Sequence, residues 1–166
     1  MKKTTSAVSL EPKPSRPYMT GYGVPKSIAG ALPWKWAQGR ISKSHNYWIT
    51  TVRPDGSPHT MVVWGIWLDG AYYFSTGATT RKGRNLQQSP RCVVCNENAE
   101  EAVIVEGVAQ QLKATEIPSQ AFSDYKNKYD WELDPQRGPV WVVRPTTVFA
   151  MPEKQFPSGA TRWRFE

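Results

Sequence analysis

Long apolar runs are missing from this 166-residue chain. No stretch approaches the roughly 20 consecutive apolar residues that a bilayer-spanning helix needs, so no membrane partner is expected. Lys2 and Lys3 are not followed by an apolar segment, so no secretory signal peptide is expected and cytoplasmic residence is the expectation. Histidine is scarce, with only His45 and His59. No Ser-His-Asp set, metal triad or pair of carboxylates is readable, so neither a catalytic side chain nor a metal is assigned. Acidic residues are fewer than basic ones, 14 against 21, leaving a formal net charge of +7. The cations are scattered, with no unbroken Lys/Arg run and no nucleic-acid-binding signature, so nucleic acid is not expected as a partner. A local site for an anionic ligand fits this charge better.

Cysteine occurs twice, as Cys92 and Cys95 in a C-x-x-C. The surrounding Arg91–Asn96 is short and Val-rich, which reads as a strand. Residues three apart on a strand point to opposite faces, whereas a redox C-x-x-C sits where a helix begins and a zinc site needs further ligands nearby. Both cysteines are therefore read as structural thiols in a reduced compartment.

What the chain does contain is a run of short strands. Residues 1–22 hold Pro12, Pro14 and Pro17 among Lys, Thr and Ser, and read as a flexible arm; residues 23–166 read as one domain with no internal repeat or linker. A short helix is expected from Pro33 to Lys43, with Trp34 and Trp36 as packing residues. Tyr47–Val52 is a strand, Pro54-Asp55-Gly56 a turn, and His59–Leu68 a long strand. On that strand His59, Met61, Val63, Gly65 and Trp67 share one face and Thr60, Val62, Trp64, Ile66 and Leu68 the other. Both faces are largely apolar, so burial on both sides is expected, against a helix, a ligand or a second subunit. Asp69-Gly70 predicts a tight hairpin into Ala71–Phe74. Arg81–Gln88 is a helix, Arg91–Asn96 and Ala102–Leu112 are strands, and Gly107 points to a bulge or a close backbone approach. Ile117 to about Tyr129 is helical, and Val140–Arg144 and Thr146–Met151 are strands broken at Pro145. Trp163 and Phe165, near the end, need cover. Many short strands with two or three helices point to a small barrel.

The stretch His59–Cys95 organises the chain. Its second strand runs into Ser75, Thr76, Gly77, Thr79 and Thr80, then Arg81, Lys82, Arg84 and Asn85. Hydroxyls and glycine leave backbone N–H groups open, and the cations stand at the start of a helix, whose N-terminus carries unpaired donors. Together these suit a phosphate or a carboxylate.

The order of these pieces resembles the pyridoxamine 5'-phosphate oxidase-like superfamily, the FMN-binding split barrels that also include deazaflavin (coenzyme F420) oxidoreductases. It is carried by YWITTVRPDGSPHTMVVWGIWLDGAYYFST, TTRKGRNLQQSPR, VIVEGVA and VWVVRPTTVFA, over roughly Tyr47 to Ala150. The resemblance implies a mainly β, six-stranded split barrel with a few short helices, homodimeric, with the cofactor at the subunit interface. It implies that His59, Thr60, Met61 and Val62 lie along the cofactor ring and that Ser75 and Thr76 close its other edge. Thr80, Arg81, Lys82 and Asn85 would hold the phosphate, with Arg84 in the same element, and Trp141 would reach the cofactor from the partner subunit. The implied activity is FMN- or F420-dependent oxidoreduction of a small, conjugated substrate. The alternative is a non-catalytic protein that binds or senses a flavin, haem or related ligand. The C-terminal arginine and histidine signature of true pyridoxamine phosphate oxidases is not evident in TRWRFE, so vitamin B6 oxidation is not implied. FMN is the commoner cofactor of the superfamily, whereas the extra arginine suits the more anionic F420, and the choice stays open.

Overall fold

Inside–outside alternation builds the sheet of this protein, whose computed structural model describes residues 11–166. In β2 (Tyr47–Val52) the odd-numbered residues Tyr47, Ile49 and Thr51 are fully buried, while Trp48 and Val52 face out. Around it stand β1 (Pro14–Ser15), β3 (Pro58–Val63), β4 (Gly65–Leu68), β5 (Ala71–Ser75), β6 (Arg91–Asn96), β7 (Glu101–Gln111), β8 (Val140–Pro152) and β9 (Thr161–Arg164). The helices are α1 (Trp34–Lys43), α2 (Arg81–Gln88) and α3 (Ser119–Tyr129). No helix among the described residues is long and apolar enough to cross a membrane.

All strand pairs are antiparallel, in the order β1-β9-β8-β7-β6-β2-β3. β8 is long enough to share one edge between two partners: β5 takes Val140–Val143 and β9 takes Thr147–Ala150. Among the described residues β4 then pairs only with β5. β3 and β4 follow each other in the chain but belong to opposite ends of the sheet, which leaves a seam and makes the barrel a split one.

That seam corrects the single strand expected over His59–Leu68. It is two strands separated at Trp64, because Gly65 must approach β5 closely. A Cβ at Gly65 would fall 2.3 Å from the Tyr72 hydroxyl and 2.6 Å from the Tyr73 carbonyl oxygen. Nor is the segment buried on both sides within one chain: Met61, Val62 and Trp64 are 47%, 44% and 41% exposed, since β3 is an edge strand. The opposite correction applies to Val140–Met151. Pro145 does not break it, because a bulge opposite Glu106 and Gly107 absorbs the missing N–H, as Gly107 predicted. The described residues thus hold nine strands, two of them the short strands β1 and β9 near the ends of the chain.

Asp69 and Gly70 both have positive φ, 49° and 78°, the left-handed turn expected between β4 and β5. α1 buries Trp34, Ala37 and Ile41 along one face, with Pro33 just before its first turn. Trp34 meets Trp163 and Phe165 with ring centroids 5.3 and 5.2 Å apart. The cover that Trp163 and Phe165 need thus comes from α1 of the same chain, not from a second subunit. Of the expected N-terminal arm, residues 1–10 lie outside the described residues. Pro14–Ser15 is paired with β9, and the Arg16 guanidinium donates to the carbonyls of Ser27, Ala29, Ser158 and Ala160 at 2.6–2.8 Å.

Cys92 faces inward and is buried, whereas Cys95 is on the other face. Both are free, and burial pushes the Cys92 thiol up to about 12. On the outer face, matched register places Val62, Trp48, Cys95, Ile104 and Phe149 in one row across five strands. This apolar row is open to solvent at Val62 and Trp48.

Candidate cofactor site

Thr80 shapes the basic loop. It caps α2, accepting from the Gly83 N–H at 3.1 Å while donating to the Gly77 carbonyl at 2.8 Å, and it shares a 3.0 Å bond with Thr76. A Cβ at Gly83 would lie 2.4 Å from the Gly77 carbonyl oxygen, so only glycine lets the loop fold back on the first turn. Ser75 donates toward Pro139 at 3.2 Å, and the Thr76 N–H bonds the same carbonyl. The hydroxyl protons of Ser75, Thr76 and Thr80 are thus used within the chain; these residues hold the loop's shape.

The cations behave differently. Among the described residues, Arg53, Arg81, Lys82 and Arg84 make no ion pair within 4.0 Å. Arg53, Lys82 and Arg81 crowd His59 closely enough that their charges, after desolvation, hold its imidazole below the usual histidine range. Desolvation also lowers the Lys82 ammonium. Asp55, in the turn beside Arg53, is occupied by the N–H and hydroxyl of Ser57 at 2.9 and 2.6 Å. Positive charge without a neutralising partner is unfavourable in the free protein and favours an anion.

Behind this cluster Asn85 is buried. Its Nδ2 donates to the Thr51 hydroxyl at 3.0 Å, which ties α2 to β2, while its Oδ1 and the His59 Nδ1 are buried without partners among the described residues. Orphaned polar atoms beside unneutralised cations mark a place where the protein awaits a polar partner.

Val62, Val63, Trp64, Ser75, Lys82 and Tyr125 line one cavity of about 340 Å³, so β3, β5, α2 and α3 meet there. Of the sequence-derived site residues, Val62, Ser75 and Lys82 share this cavity, and His59 lies within reach of the charges of Arg81 and Lys82. Thr60 and Met61 are exposed on the open strand, with Thr60 bonded to Thr50 at 2.8 Å, and Arg84 is exposed on α2. Trp141 does not join them. Its side chain, 3% exposed, packs in the core between β5 and β7, so it is not presented to a partner. Sequence reasoning missed Arg53, whose side chain bends over the turn to the Pro58 carbonyl, and Tyr125 of α3. The register Thr51↔His59, two residues from Arg53, is the signal that would have found the first.

A family model for pyridoxamine 5'-phosphate oxidase matches residues 35–151. The chain belongs to this split-barrel family. No curated protein matches it. Among solved structures it is similar to a haem-binding protein from Mycobacterium smegmatis, at 21% identity and a TM-score of 0.62, covering 78% of this chain and 55% of that one. It is also similar to an F420 reductase, at 22% identity and a TM-score of 0.54, over 67% of this chain and 94% of that one. The haem storage protein HutZ of Vibrio cholerae is 16% identical with a TM-score of 0.57, over 70% of this chain and 89% of that one. At these identities the likeness is one of fold. That fold is shared by an F420 reductase and by haem-binding and haem-storage proteins.

Proposed function

We propose that this protein is an oxidoreductase that binds FMN or coenzyme F420 between two copies of the chain and acts on a small conjugated substrate. The observation that carries this reading is the group of cations without an ion-pair partner among the described residues, Arg53, Arg81 and Lys82, around His59, with Lys82 lining the cavity. A phosphate there would neutralise them, and charge-assisted bonds are the strong ones. The buried Oδ1 of Asn85 and Nδ1 of His59 fit a ligand rich in donors and acceptors.

The chain's own residues do the holding. His59 and Met61 fall on one face of β3 and Thr60 and Val62 on the other, so a flat ring meets the unpaired edge of the strand rather than either face. Thr80, Thr76 and Ser75 fix the loop, Arg81 and Lys82 supply charge, and Asn85 locks α2 onto β2. Arg84 is left exposed on the outer side of α2, where an extended anionic tail such as that of F420 would reach it. The bound cofactor would supply hydride transfer. The open row Val62–Trp48–Cys95–Ile104–Phe149 offers a second copy an apolar face, and pairing there would enclose the edge of β3.

The test is an absorbance spectrum of the purified protein followed by titration with FMN and then with F420. Tight, saturable binding of one of them, with turnover when a donor and a conjugated acceptor are supplied, is the expected result. The likeness to two haem-binding structures favours a second reading, storage or sensing without turnover. A Soret band with no affinity for either cofactor would replace the first reading with the second.

A further inference from the structure

The indole of Trp64 is held ready for a ligand that the phosphate cluster does not explain. It stands at the seam between β3 and β4, 41% exposed, and lines the cavity with Lys82 and Tyr125. One of its faces is covered: Tyr129 stacks on it with centroids 4.8 Å apart and planes 9° from parallel. Tyr129 is itself fixed. Its hydroxyl accepts from the Gly65 N–H at 2.9 Å and lies 2.7 and 2.8 Å from the carbonyl oxygens of Gly65 and His45. Tyr125 braces it with a centroid distance of 4.8 Å. Side chains this anchored lose little further freedom when something binds. A large aromatic ring left half exposed beside a cavity costs hydrophobic free energy in the free protein; His45 meets the indole edge-on, with centroids 6.3 Å apart and planes 65° from parallel, and among the described residues no second aromatic ring stacks parallel to it.

We infer that the free face of Trp64 is the stacking platform for the substrate, a planar conjugated ring. This rests on the cofactor reading above and deepens it by assigning the substrate subsite. Stacking selects for flatness. A pair of ligands that differ in flatness alone therefore isolates the platform.

The experiment uses 2-naphthoate and its saturated decahydro counterpart, with affinities measured by calorimetry on the full chain with and without saturating FMN. An offset aromatic stack corresponds to about a three- to tenfold preference for the planar ligand. Trp64→Leu, which keeps apolar bulk, is expected to abolish the preference, and Trp64→Phe to restore most of it. FMN affinity and elution volume should be unchanged in both variants. Equal affinity of the wild type for the two ligands, or a preference that persists in Trp64→Leu, would overturn the platform. So would loss of the preference when FMN is added, or loss of FMN affinity or of the dimer in Trp64→Leu, which would assign the indole to the cofactor or to the interface. Failure of the cofactor reading has its own signature, no binding of FMN or F420 by the wild type, and is scored separately.

Discussion

Replacing Lys82 by glutamine separates a binding site from a merely basic helix. Lys82 is half-buried, makes no ion pair among the described residues and shares its surroundings with Arg53, Arg81 and His59. If these cations stabilised the fold, removing one would weaken it. On the geometry the reverse holds: like charges in contact destabilise by about 0.2–0.5 kcal/mol, so Lys82→Gln should leave the free protein as stable as the wild type or slightly more so. The bound state should suffer, because a charge-assisted hydrogen bond is worth about 1.5–3 kcal/mol. That corresponds to a loss of about 10- to 150-fold in affinity for whichever of FMN and F420 the wild type binds. His59 provides an internal check. Its folded value lies below that of a free histidine, so the unfolded chain takes up the proton first. Stability is then complete above about pH 6.5 and falls as the pH drops from there toward the folded value. Removing the Lys82 charge should raise the His59 value and shrink this acid-side loss. The assays are urea denaturation at pH 7.5 and 5.5, cofactor titration by fluorescence, and the imidazole resonance followed by NMR. A variant destabilised by more than about 1 kcal/mol, with cofactor affinity intact, would refute the reasoning.

Thr80→Ala removes the α2 cap and should cost about 1 kcal/mol, read as a lower urea midpoint with unchanged slope. Lys128, whose ammonium bonds the Tyr47 hydroxyl at 2.7 Å and the Gly65 carbonyl at 3.1 Å, is lowered by desolvation to about 8. Its contribution to stability should therefore grow as pH rises from about 8 toward the ordinary lysine value, and Lys128→Met should flatten that rise in urea midpoints between pH 8 and 10. Trp48→Glu places a charge in the open row of β2, β3, β6, β7 and β8; light scattering at micromolar concentration should report a monomer, with the circular dichroism spectrum preserved.

Much of the sheet was legible because its signals are local. Tyr47–Val52 and Arg91–Asn96 carry β-branched and aromatic residues between turns, and Asp69-Gly70 fixes its own hairpin, so these elements stand where the pattern put them. Arg81–Gln88 stands at its expected bounds, and the structure adds the Thr80 cap at its start. The division at Trp64 was not legible. It depends on how closely Tyr72 and Tyr73 press on Gly65, which is a contact between neighbouring strands and leaves no mark in alternation. Pro145 misled for the complementary reason: its missing N–H is harmless because β8 bulges beside it, opposite Glu106 and Gly107 far away in the chain. At the site, the basic loop announced its charge, but the sequence did not reveal that Thr80, Thr76 and Ser75 spend their hydroxyl protons on the loop itself. Arg53 was hidden because it belongs to a turn whose neighbours across the strand are set by register. Trp141 was placed by resemblance, and its burial follows from its position on β8 between Phe74 and Gln111.

The seam at Trp64–Gly65 also has a mechanical meaning. One continuous backbone leaves the β2 side of the barrel and enters the β5 side at this point, so any breathing of one half against the other must turn about it. A free joint would let the cleft gape. Here it is bolted from α3: the Lys128 ammonium and the Tyr129 hydroxyl both grip Gly65, and Lys128 reaches on to Tyr47 at the start of β2. The cleft wall is stiff where a barrel open along one side would be weakest, and α3 acts as the brace that keeps its jaws at a fixed gauge.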